Sequence, residues 1–405
     1  MKIGIITFHA AMNYGSVLQA FALQEYLRSR RNDVRIIDFR SAAQRRLYPA
    51  PVSFGSLYNA KRTVRRLLCD WKEVRFMAEK QSAFRAFASG RLRLTDKCFR
   101  TESCLRSYDW SGFDMLVSGS DQIWNPSAID FSKAYFLNFT DRVRKVAYAP
   151  SAGPHPHVSG YVQDNSTSAS GILRSPMSGV QDLLSCYEAI SVREKSTADF
   201  LSLGDVPVLP DPVLLHGADF YRAVMPGALK LPSDSNAAGL HDAGGSLPEK
   251  KKYVLLYSPG KRNHAAEMLA DAASSGMLGK DSASVLPEDR RMPVLRVTDG
   301  ASAGQYAGPD VFPCGPDGFL SLVAGSACTV GTSFHLMVFS MLFARDFWCP
   351  DAASDSRKVH LLTAAGLNPG STFFPFSRPE IQSRLASALA DMRHNADKFW
   401  SSLGA

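Results

Sequence analysis

Two short apolar segments in residues 2–39 flank a longer segment in which apolar residues recur with helical spacing. The apolar segments are KIGIITF (2–8) and VRIIDF (34–39), and VLQAFALQEYLRSR (17–30) lies between them. Strand, helix and strand in this order predict a parallel sheet, because parallel strands need a long crossover connection. This constrains the fold most, since ligands of such sheets bind beyond the carboxyl ends of the strands.

The same alternation continues to about residue 211 and starts again near residue 252. Later strands are predicted at 114–119, 145–150, 189–194 and 206–211, and then at 252–259, 293–298 and 328–333. We therefore predict an α/β fold with two Rossmann-like domains facing a cleft. The predicted boundaries are 1–215, 216–378 and a C-terminal helix at 379–405. Low-complexity sequence near 233–252 predicts an insertion in the second domain, and residues 159–178 are rich in Ser and Gly.

Positive charge is concentrated in the first hundred residues. The formal net charge of the chain is +8, but residues 1–100 contain 20 Lys and Arg against 7 Asp and Glu. This predicts an anionic partner for that region, such as a phosphate compound, an acidic glycan, a membrane surface or a nucleic acid. A basic helical insertion at 58–88 contains much of the charge, with an apolar stripe formed by Val64, Leu67, Leu68, Trp71, Val74 and Met77. A solvated helix face and a membrane-binding or acceptor-binding face both fit this pattern.

Several common kinds of site are absent from the sequence. The seven cysteines form no CxxC pair, which argues against a zinc site or a disulfide framework. The motifs GxxxxGK[ST], GxGxxG after the first strand, and HExxH do not occur. We expect no metal and no cofactor. The first apolar segment is too short for a signal peptide, and no later one reaches the length of a membrane span.

Polar residues appear where four of the apolar segments stop. These stretches are TFHAAMNYGS, SGSDQIWNP, SVREKS and GTSFHLMVF, and parallel strands would bring all four to one edge of a sheet. Asp121 can accept a proton from a substrate hydroxyl or simply cap a turn. Arg193 can bind a carboxylate or phosphate, or form an ion pair with Glu194 or Glu188. His335 falls at a predicted helix start, where anions bind well, although a lone histidine is more often structural.

Taken together, these stretches resemble the polysaccharide pyruvyl transferase family. The stretch from Asn13 to Gln24 is similar to the family's NYG-x-x-LQA-x-ALQ motif, and GSDQIWNP to its GSDQ-x-WNP motif. AISVRE, VLPDPVLL and GTSFH–VFS follow in the family's order. The resemblance covers Lys2 to about Leu367 and implies two Rossmann-like domains similar to the GT-B glycosyltransferase architecture.

The resemblance also implies an activity. Such enzymes transfer the pyruvyl unit of phosphoenolpyruvate to two hydroxyls of one sugar as a ketal, on a cell-surface polysaccharide or its lipid-linked precursor. The implied catalytic residues are His335, as an acid, and Asp121, as a base or hydroxyl-orienting group. The implied substrate-binding residues are Arg193, Ser333, Phe334, Asn13, Tyr14, Gly15, Ser120, Gln122, Trp124 and Asn125.

Ser333 and Leu336 depart from the family, whose members often have Arg and Gly there. Arg357, Lys261 or Arg262 would then supply the missing phosphate-binding charge. The alternatives are a glycosyltransferase with a nucleotide-sugar donor and a glycan- or nucleic-acid-binding protein. Clustered polar strand ends argue against a simple binding protein, so we expect no nucleic acid partner. We expect a cytoplasmic protein, with peripheral contact to the anionic inner face of the membrane.

Overall fold

The computed structural model describes residues 1–49, 61, 64, 67, 68, 70–154, 177–225, 253–260, 262–276, 291–298 and 311–405. Within them the chain forms two sheets of mostly parallel strands, with helices packed against them. The predicted α/β fold of two Rossmann-like units is confirmed. Nearly all of the Ser/Gly-rich segment at 159–178, the low-complexity segment at 233–252 and Lys261 lie outside the described residues.

Each sheet has five strands in the described residues. The first has the order β2–β1–β3–β4–β5, all parallel, with β1 (Lys2–Ile6), β2 (Asp33–Ile36), β3 (Met115–Ser118), β4 (Arg144–Ala147) and β5 (Ala189–Ile190). The second has the order β10–β9–β8–β6–β7, with β6 (Val254–Tyr257), β7 (Val294–Val297), β8 (Cys328–Val330), β9 (Asp346–Trp348) and β10 (Phe373–Phe374). Only β10 is antiparallel to its neighbour. The strand order reverses beside β1 and β3 in one sheet, and beside β6 and β8 in the other, and such reversals create ligand crevices.

The helices include a long one near each end of the chain. In chain order they are α1 (Tyr14–Ser29), α2 (Ala42–Leu47), α3 (Trp71–Arg91), α4 (Glu102–Arg106), α5 (Val180–Leu184), α6 (Lys195–Phe200), α7 (Ala218–Arg222), α8 (His264–Ser274), α9 (Pro316–Gly325), α10 (Phe334–Leu342), α11 (Ser356–Ala364) and α12 (Pro379–Ser402). None of the helices in the described residues has the length and hydropathy needed to cross a membrane.

Residues 206–211 differ from the strand that the sequence predicts. They form one bridge, between Val192 and Val208, and the chain then enters a 3₁₀ turn at Pro212–Leu215. Prolines at 207, 210 and 212 explain the difference, because each lacks the N–H that a central strand would donate.

The apolar stripe of the basic helical region is only partly buried. Val74 packs in the core, but Val64, Leu67, Leu68 and Trp71 are between 42% and 78% exposed. The stripe is therefore a core-facing surface only in its second half, and its first half is an apolar surface open to solvent.

A glycine follows the central strand of each sheet and allows close backbone packing. Gly119, after β3, has φ +130° and would place a Cβ 2.1 Å from the Tyr148 carbonyl oxygen. Gly331, after β8, has φ +156° and would place a Cβ 1.8 Å from the Tyr257 carbonyl oxygen. Both positions therefore require glycine, and what each backbone approaches closely is a neighbouring strand.

The two units share one continuous apolar core. Tyr14, at the start of α1, stacks on Phe319 of α9 with ring centroids 4.5 Å apart, and its hydroxyl donates to the Cys314 carbonyl at 3.3 Å. The core cluster contains residues of both sheets. This packing fixes the first turn of α1 against the second unit.

The C-terminal helix α12 returns to the first unit. Trp400 is fully buried and stacks on Tyr148, with centroids 5.2 Å apart. Arg393 donates to the carbonyls of Leu214 and His216 at 2.8 Å each, and Asp397 accepts from Tyr26 at 2.5 Å. Helix α12 thus joins the first unit to the segment that leads into the second.

We predict that Trp400→Ala lowers the free energy of unfolding by about 3–5 kcal/mol, because a buried aromatic ring is replaced by a cavity. Trp71→Ala is the matched control, since Trp71 is 53% exposed; we expect about 0.5 kcal/mol or less for it. Urea unfolding followed by circular dichroism measures both. Equal losses in the two variants would show that α12 does not anchor the fold in this way.

Candidate active site

One buried carboxylate joins an arginine of the first unit to a histidine of the second. Asp211 accepts a hydrogen bond from Nη1 of Arg193 at 2.6 Å, and the same oxygen, Oδ2, lies 3.3 Å from Nε2 of His335. The His335 separation is an ion-pair distance without hydrogen-bond geometry. All three residues are less than one-tenth exposed. We call them the charged triad.

The electrostatics of the charged triad follow from its burial. Burial alone would raise the pKa of Asp211, but His335 and Arg193 beside it hold that pKa well below its usual value. Burial would lower the pKa of Arg193, and the carboxylates of Asp211, Glu194 and Asp121 raise it instead. Asp211 and Arg193 therefore both remain ionised near neutral pH.

Arg193 retains hydrogen-bonding capacity in this environment. Its Nε and Nη2 atoms are buried and have no hydrogen-bond partner among the described residues, although Nε lies 3.6 Å from Glu194. Its guanidinium lies over the Phe334 ring, 5.2 Å from the centroid. Of the two ion pairs that the sequence allows for Arg193, the pair with Glu194 is present. Glu188 pairs with Arg144 instead. Asp211 is a closer partner of Arg193, and sequence reasoning missed it.

Asp211 was visible in the sequence within VLPDPVLL, but no pattern distinguished it from a turn residue. It does cap the 3₁₀ turn, because its Oδ1 accepts from the Val213 N–H at 3.0 Å. Only the fold shows that its second oxygen faces two cationic side chains.

The position of His335 depends on the absence of a side chain at Gly15. A Cβ on Gly15 would lie 2.0 Å from Nδ1 of His335. His335 is in the first turn of α10, and Ser333 caps that helix by accepting from the Leu336 N–H at 3.3 Å. Gly15, Ser333 and Phe334 therefore lie around the histidine.

Asp121 lies at the end of β3 with an unusual backbone and an unpaired oxygen. It has φ +77°, and its Oδ1 accepts from the adjacent Gln122 N–H at 2.8 Å. Its Oδ2 is buried with no partner among the described residues. A turn explains the first oxygen and leaves the second unexplained, and a buried unpaired carboxylate oxygen is costly.

Other residues of the SGSDQIWNP stretch pack against the protein itself. Ser120 donates to the Ala149 carbonyl at 2.5 Å, and Asn125 donates to Gln122 at 3.2 Å, with Gly153 close against the Asn125 amide. Trp124 is fully buried and stacks on Phe136, with centroids 5.0 Å apart. The Trp124 ring therefore exposes no surface to a ligand in this structure, and its packing against Phe136 anchors the loop.

Two residues of the NYG stretch also have structural contacts. Asn13 caps α1 by accepting from the Ser16 N–H at 3.2 Å. Tyr14 is fully buried between the units. No contact in the described residues places the Asn13 side chain beside Arg193 or Asp121, and the Tyr14 ring packs against the second unit.

Asp130 is a buried carboxyl that sequence reasoning missed. Burial and the neighbouring charge of Asp121 raise its pKa to about 6. Buried Tyr135, whose pKa is also raised, is influenced by the charges of both aspartates. Nothing in the local sequence SAIDF indicates this, because the loop brings Asp130 back to the end of β3.

A crevice of about 670 Å³ lies between the units. The first unit contributes Glu194 and Ser196 to its walls, and α11 with the turn before it contributes Ser356 and His360. The cleft expected between two Rossmann-like units is thus present, and Glu194 connects it to the charged triad.

Two of the three cations proposed to replace the charge missing at Ser333 lie in the described residues, and their surroundings differ. Arg357 lies 5.5 Å from the Phe334 ring centroid, on the ring that Arg193 also contacts, and pairs with Asp355 at 2.6 Å. Arg262 pairs with Glu267 at 2.6 Å. Arg357 is therefore the candidate placed near the charged triad.

We predict that Gly15→Ala lowers turnover about as much as loss of His335, because the new methyl group must displace the imidazole. Loss of a positioned acid or base costs about 10²–10⁴ in rate. In a His335→Ala background the same change should cost little more, since the group it displaces is gone. Gly90→Ala is the control, because nothing lies within 4 Å of a Cβ there. Near-normal turnover of Gly15→Ala would contradict the geometry.

We predict that Asp130→Asn stabilises the protein at neutral pH and not at acidic pH. The folded pKa of about 6 lies above the unfolded value of about 3.9, so Asp130 favours folding below pH 4 and this stability is lost as pH rises to 6. The gain from the amide at pH 7.5 should be up to roughly 3 kcal/mol and should vanish near pH 4. Urea unfolding at the two pH values measures it.

The control for this prediction is Asp109→Asn. Asp109 is exposed and its pKa is lowered by the Ser111 N–H, so its removal should give no gain at pH 7.5. An equal gain for both variants, or a gain for Asp130→Asn that is independent of pH, would contradict the assignment of a raised pKa.

Several solved structures are similar to this chain at low sequence identity. MnaA of S. aureus, solved with UDP, covers 97% of this chain and 90% of its own, with 12% identity and a TM-score of 0.43. The N-terminal domain of Candida albicans trehalose-6-phosphate phosphatase covers 99% and 96%, with 10% identity and a TM-score of 0.44. UDP-N-acetylglucosamine 2-epimerase from Rickettsia bellii covers 100% and 98%, with 9% identity and a TM-score of 0.41.

Family comparison is more specific than these structures. A search among curated proteins found no match. The family model described as polysaccharide pyruvyl transferase matches residues 13–284, which include the NYG stretch, SGSDQIWNP, Arg193 and Asp211. This match covers about two-thirds of the chain, so the chain belongs to the polysaccharide pyruvyl transferase family.

Proposed function

We propose that this transferase moves the pyruvyl group of phosphoenolpyruvate onto two hydroxyls of one sugar, forming a cyclic ketal. The acceptor is a cell-surface polysaccharide or its lipid-linked precursor. The observation that supports this most is the charged triad, which places an unsatisfied arginine and a histidine between the two units. An anionic donor with three ionisable oxygens suits such a site.

The reaction sets the chemical requirements. The methylene carbon of phosphoenolpyruvate gains a proton, two sugar oxygens bond to the central carbon, and the bond from that carbon to the phosphate oxygen breaks. Of the two hydroxyl protons, one balances the new methyl group and the other leaves with phosphate. The site therefore needs an acid, a base and cations for the carboxylate and phosphate.

Arg193 meets the requirement for a cation. Its Nε and Nη2 atoms can donate to a carboxylate or phosphate while Nη1 remains bonded to Asp211. Charge-assisted hydrogen bonds in a buried site are the strongest of their kind. Arg357, on the same Phe334 ring, would neutralise a second negative charge.

His335 and Asp121 supply the acid and the base in this proposal. His335 donates a proton to the donor or to the departing phosphate, and Asp211 positions its ring. Asp121 accepts a hydroxyl proton through its unpaired oxygen. Because both residues are more than nine-tenths buried, the two units must separate slightly for substrates to enter.

The activity is tested by incubating the protein with phosphoenolpyruvate and a panel of glycans, measuring phosphate release and a mass gain of one pyruvyl unit. We predict that His335→Ala and Asp121→Asn each lower the rate by about 10²–10⁴ while the fold is retained. His264→Ala, at an exposed helix start, is the control and should keep normal turnover.

The same assay separates the competing activity. In a melting assay, protection by phosphoenolpyruvate and not by UDP-sugars favours the pyruvyl transferase. Protection and turnover with a UDP-sugar alone would instead establish a glycosyltransferase and refute the proposal. Normal turnover of Asp121→Asn would show that Asp121 only stabilises the turn and takes no part in catalysis.

We further propose that the region around Trp71 holds the enzyme at an anionic membrane, where a lipid-linked acceptor is present. Val64, Leu67, Leu68 and Trp71 form an exposed apolar surface, and Lys61 and Lys72 are exposed beside it. Apolar side chains flanked by cations are typical of helices that lie in the headgroup region.

We predict that Leu68→Ser with Trp71→Ser lowers co-sedimentation with anionic vesicles, and that added salt also lowers it, because exposed charges are screened. Ile129→Ser with Met268→Ser is the matched control, since these side chains are 74% and 73% exposed elsewhere. Equal binding to neutral and anionic vesicles, or equal loss in both double variants, would remove the proposal.

A further inference from the structure

A second cavity, separate from the charged triad, lies at the carboxyl ends of β1 and β2. It has a volume of about 580 Å³ and lies between the loop after β1, helix α2 and the second half of α3. Pockets that bind small molecules typically have volumes of about 300–1,000 Å³. We call it the basic cavity, because Arg40, Arg45, Arg85 and Arg100 line it together with His9.

The charge of the basic cavity is not balanced by its own walls. Among the described residues that line it, none is Asp or Glu. Asp38, behind the wall, binds Arg40 at 2.6 Å and His9 at 3.0 Å, and these contacts hold the pKa of Asp38 at about 2 despite its burial. Arg45 and Arg100 have no ion-pair partner among the described residues, which leaves an excess of positive charge.

A buried polar side chain also points to a ligand. Gln44 lines the basic cavity and is 2% exposed, yet neither its amide nitrogen nor its amide oxygen has a partner among the described residues. A buried amide without hydrogen bonds is costly. A ligand that both accepts and donates hydrogen bonds would satisfy it.

We propose that the basic cavity binds a phosphoryl group carried by the acceptor, so that the acceptor is a glycan phosphate or diphosphate. Arg40 is already paired with Asp38, and one carboxylate would neutralise only one of the three other guanidinium groups. A diphosphate offers two or three charges and several acceptor oxygens. The donor has its own cations at the charged triad, so the basic cavity is free for the other substrate. The inference rests on the proposed function, because it assigns the chemical class of that enzyme's acceptor.

The position of the basic cavity suits this role. Met12 and Val17 line it, and Gly15, between them in the chain, packs against His335. The start of α1 therefore contacts both the basic cavity and the charged triad. A phosphoryl group held in the cavity would extend its attached sugar towards the histidine.

The test is direct binding of inorganic pyrophosphate and of phosphoenolpyruvate, measured by calorimetry on the full chain. Arg45→Gln with Arg85→Gln should weaken pyrophosphate binding about tenfold, because two charge-assisted contacts are lost at a solvent-accessible site. The affinity for phosphoenolpyruvate should stay the same. Arg106→Gln with Arg142→Gln changes the net charge equally at exposed positions away from the cavity, and should leave both affinities within about twofold.

Several outcomes would overturn the inference. They are no pyrophosphate binding by the unaltered protein, equal weakening in the two double variants, and equal weakening of phosphoenolpyruvate and pyrophosphate by the cavity variant. The last would make the basic cavity a donor site. The affinities for pyrophosphate and glucose 1-phosphate distinguish a diphosphate from a monophosphate ligand. Glucose is the uncharged reference, and glucose binding as tight as that of the phosphates would also contradict the proposal.

Turnover separates this inference from the proposed function. With a phosphorylated acceptor, the cavity variant should raise the KM for that acceptor and leave kcat unchanged. If no glycan is pyruvylated but pyrophosphate binds the cavity as described, the proposed function fails and the anion site stands. If pyruvylation occurs with equal KM in the cavity variant, the function stands and the inference fails.

Discussion

The structure around the candidate site depends on the carboxylate of Asp211. It is fully buried, yet it remains ionised because Arg193 and His335 lie beside it. Removing one partner from a buried charged group leaves the others uncompensated and costs about 3–5 kcal/mol. Arg193 and Asp211 come from the first unit and His335 from the second, so this interaction also links the two units at the candidate site.

Glycine positions make this arrangement possible. Gly119 and Gly331 allow the ends of the two central strands to pack against neighbouring backbone, and Gly15 leaves room for the imidazole of His335. The polar segments GSDQ and GTSFH follow Ser118 and Val330 directly, so the close packing determines where their side chains begin. Backbone shape and charge therefore act together, and neither alone would position the site.

Much of the fold was predictable because it follows from periodicity. The strand at Val254–Tyr257 is a continuous apolar run, and the strand at Lys2–Ile6 is apolar after its first residue. Helix α1 lies between β1 and β2 in the chain, and its apolar residues recur with helical spacing. Residues 206–211 were mispredicted because their apolar pattern was read without the three prolines that prevent strand pairing. The exposed stripe at Leu68 shows the same limit, since periodicity indicates an apolar face but not what covers it.

The site was predictable only where residues follow strands directly. Arg193 and His335 were found in this way, and the structure brings both to Asp211. Asp211 and Asp130 were missed because each lies in a loop whose return path depends on long-range packing. Trp124 belongs to a conspicuous motif, and its ring is fully buried against Phe136, a position that the sequence alone does not indicate.

In the proposed function, phosphoenolpyruvate binds between the units at the charged triad. Hydrogen–deuterium exchange with and without phosphoenolpyruvate tests it most directly. We predict slower exchange in the segments around Arg193 and around His335, with no such change on adding a UDP-sugar. Protection confined to the basic cavity, or no protection by phosphoenolpyruvate in either segment, would contradict the proposed donor site.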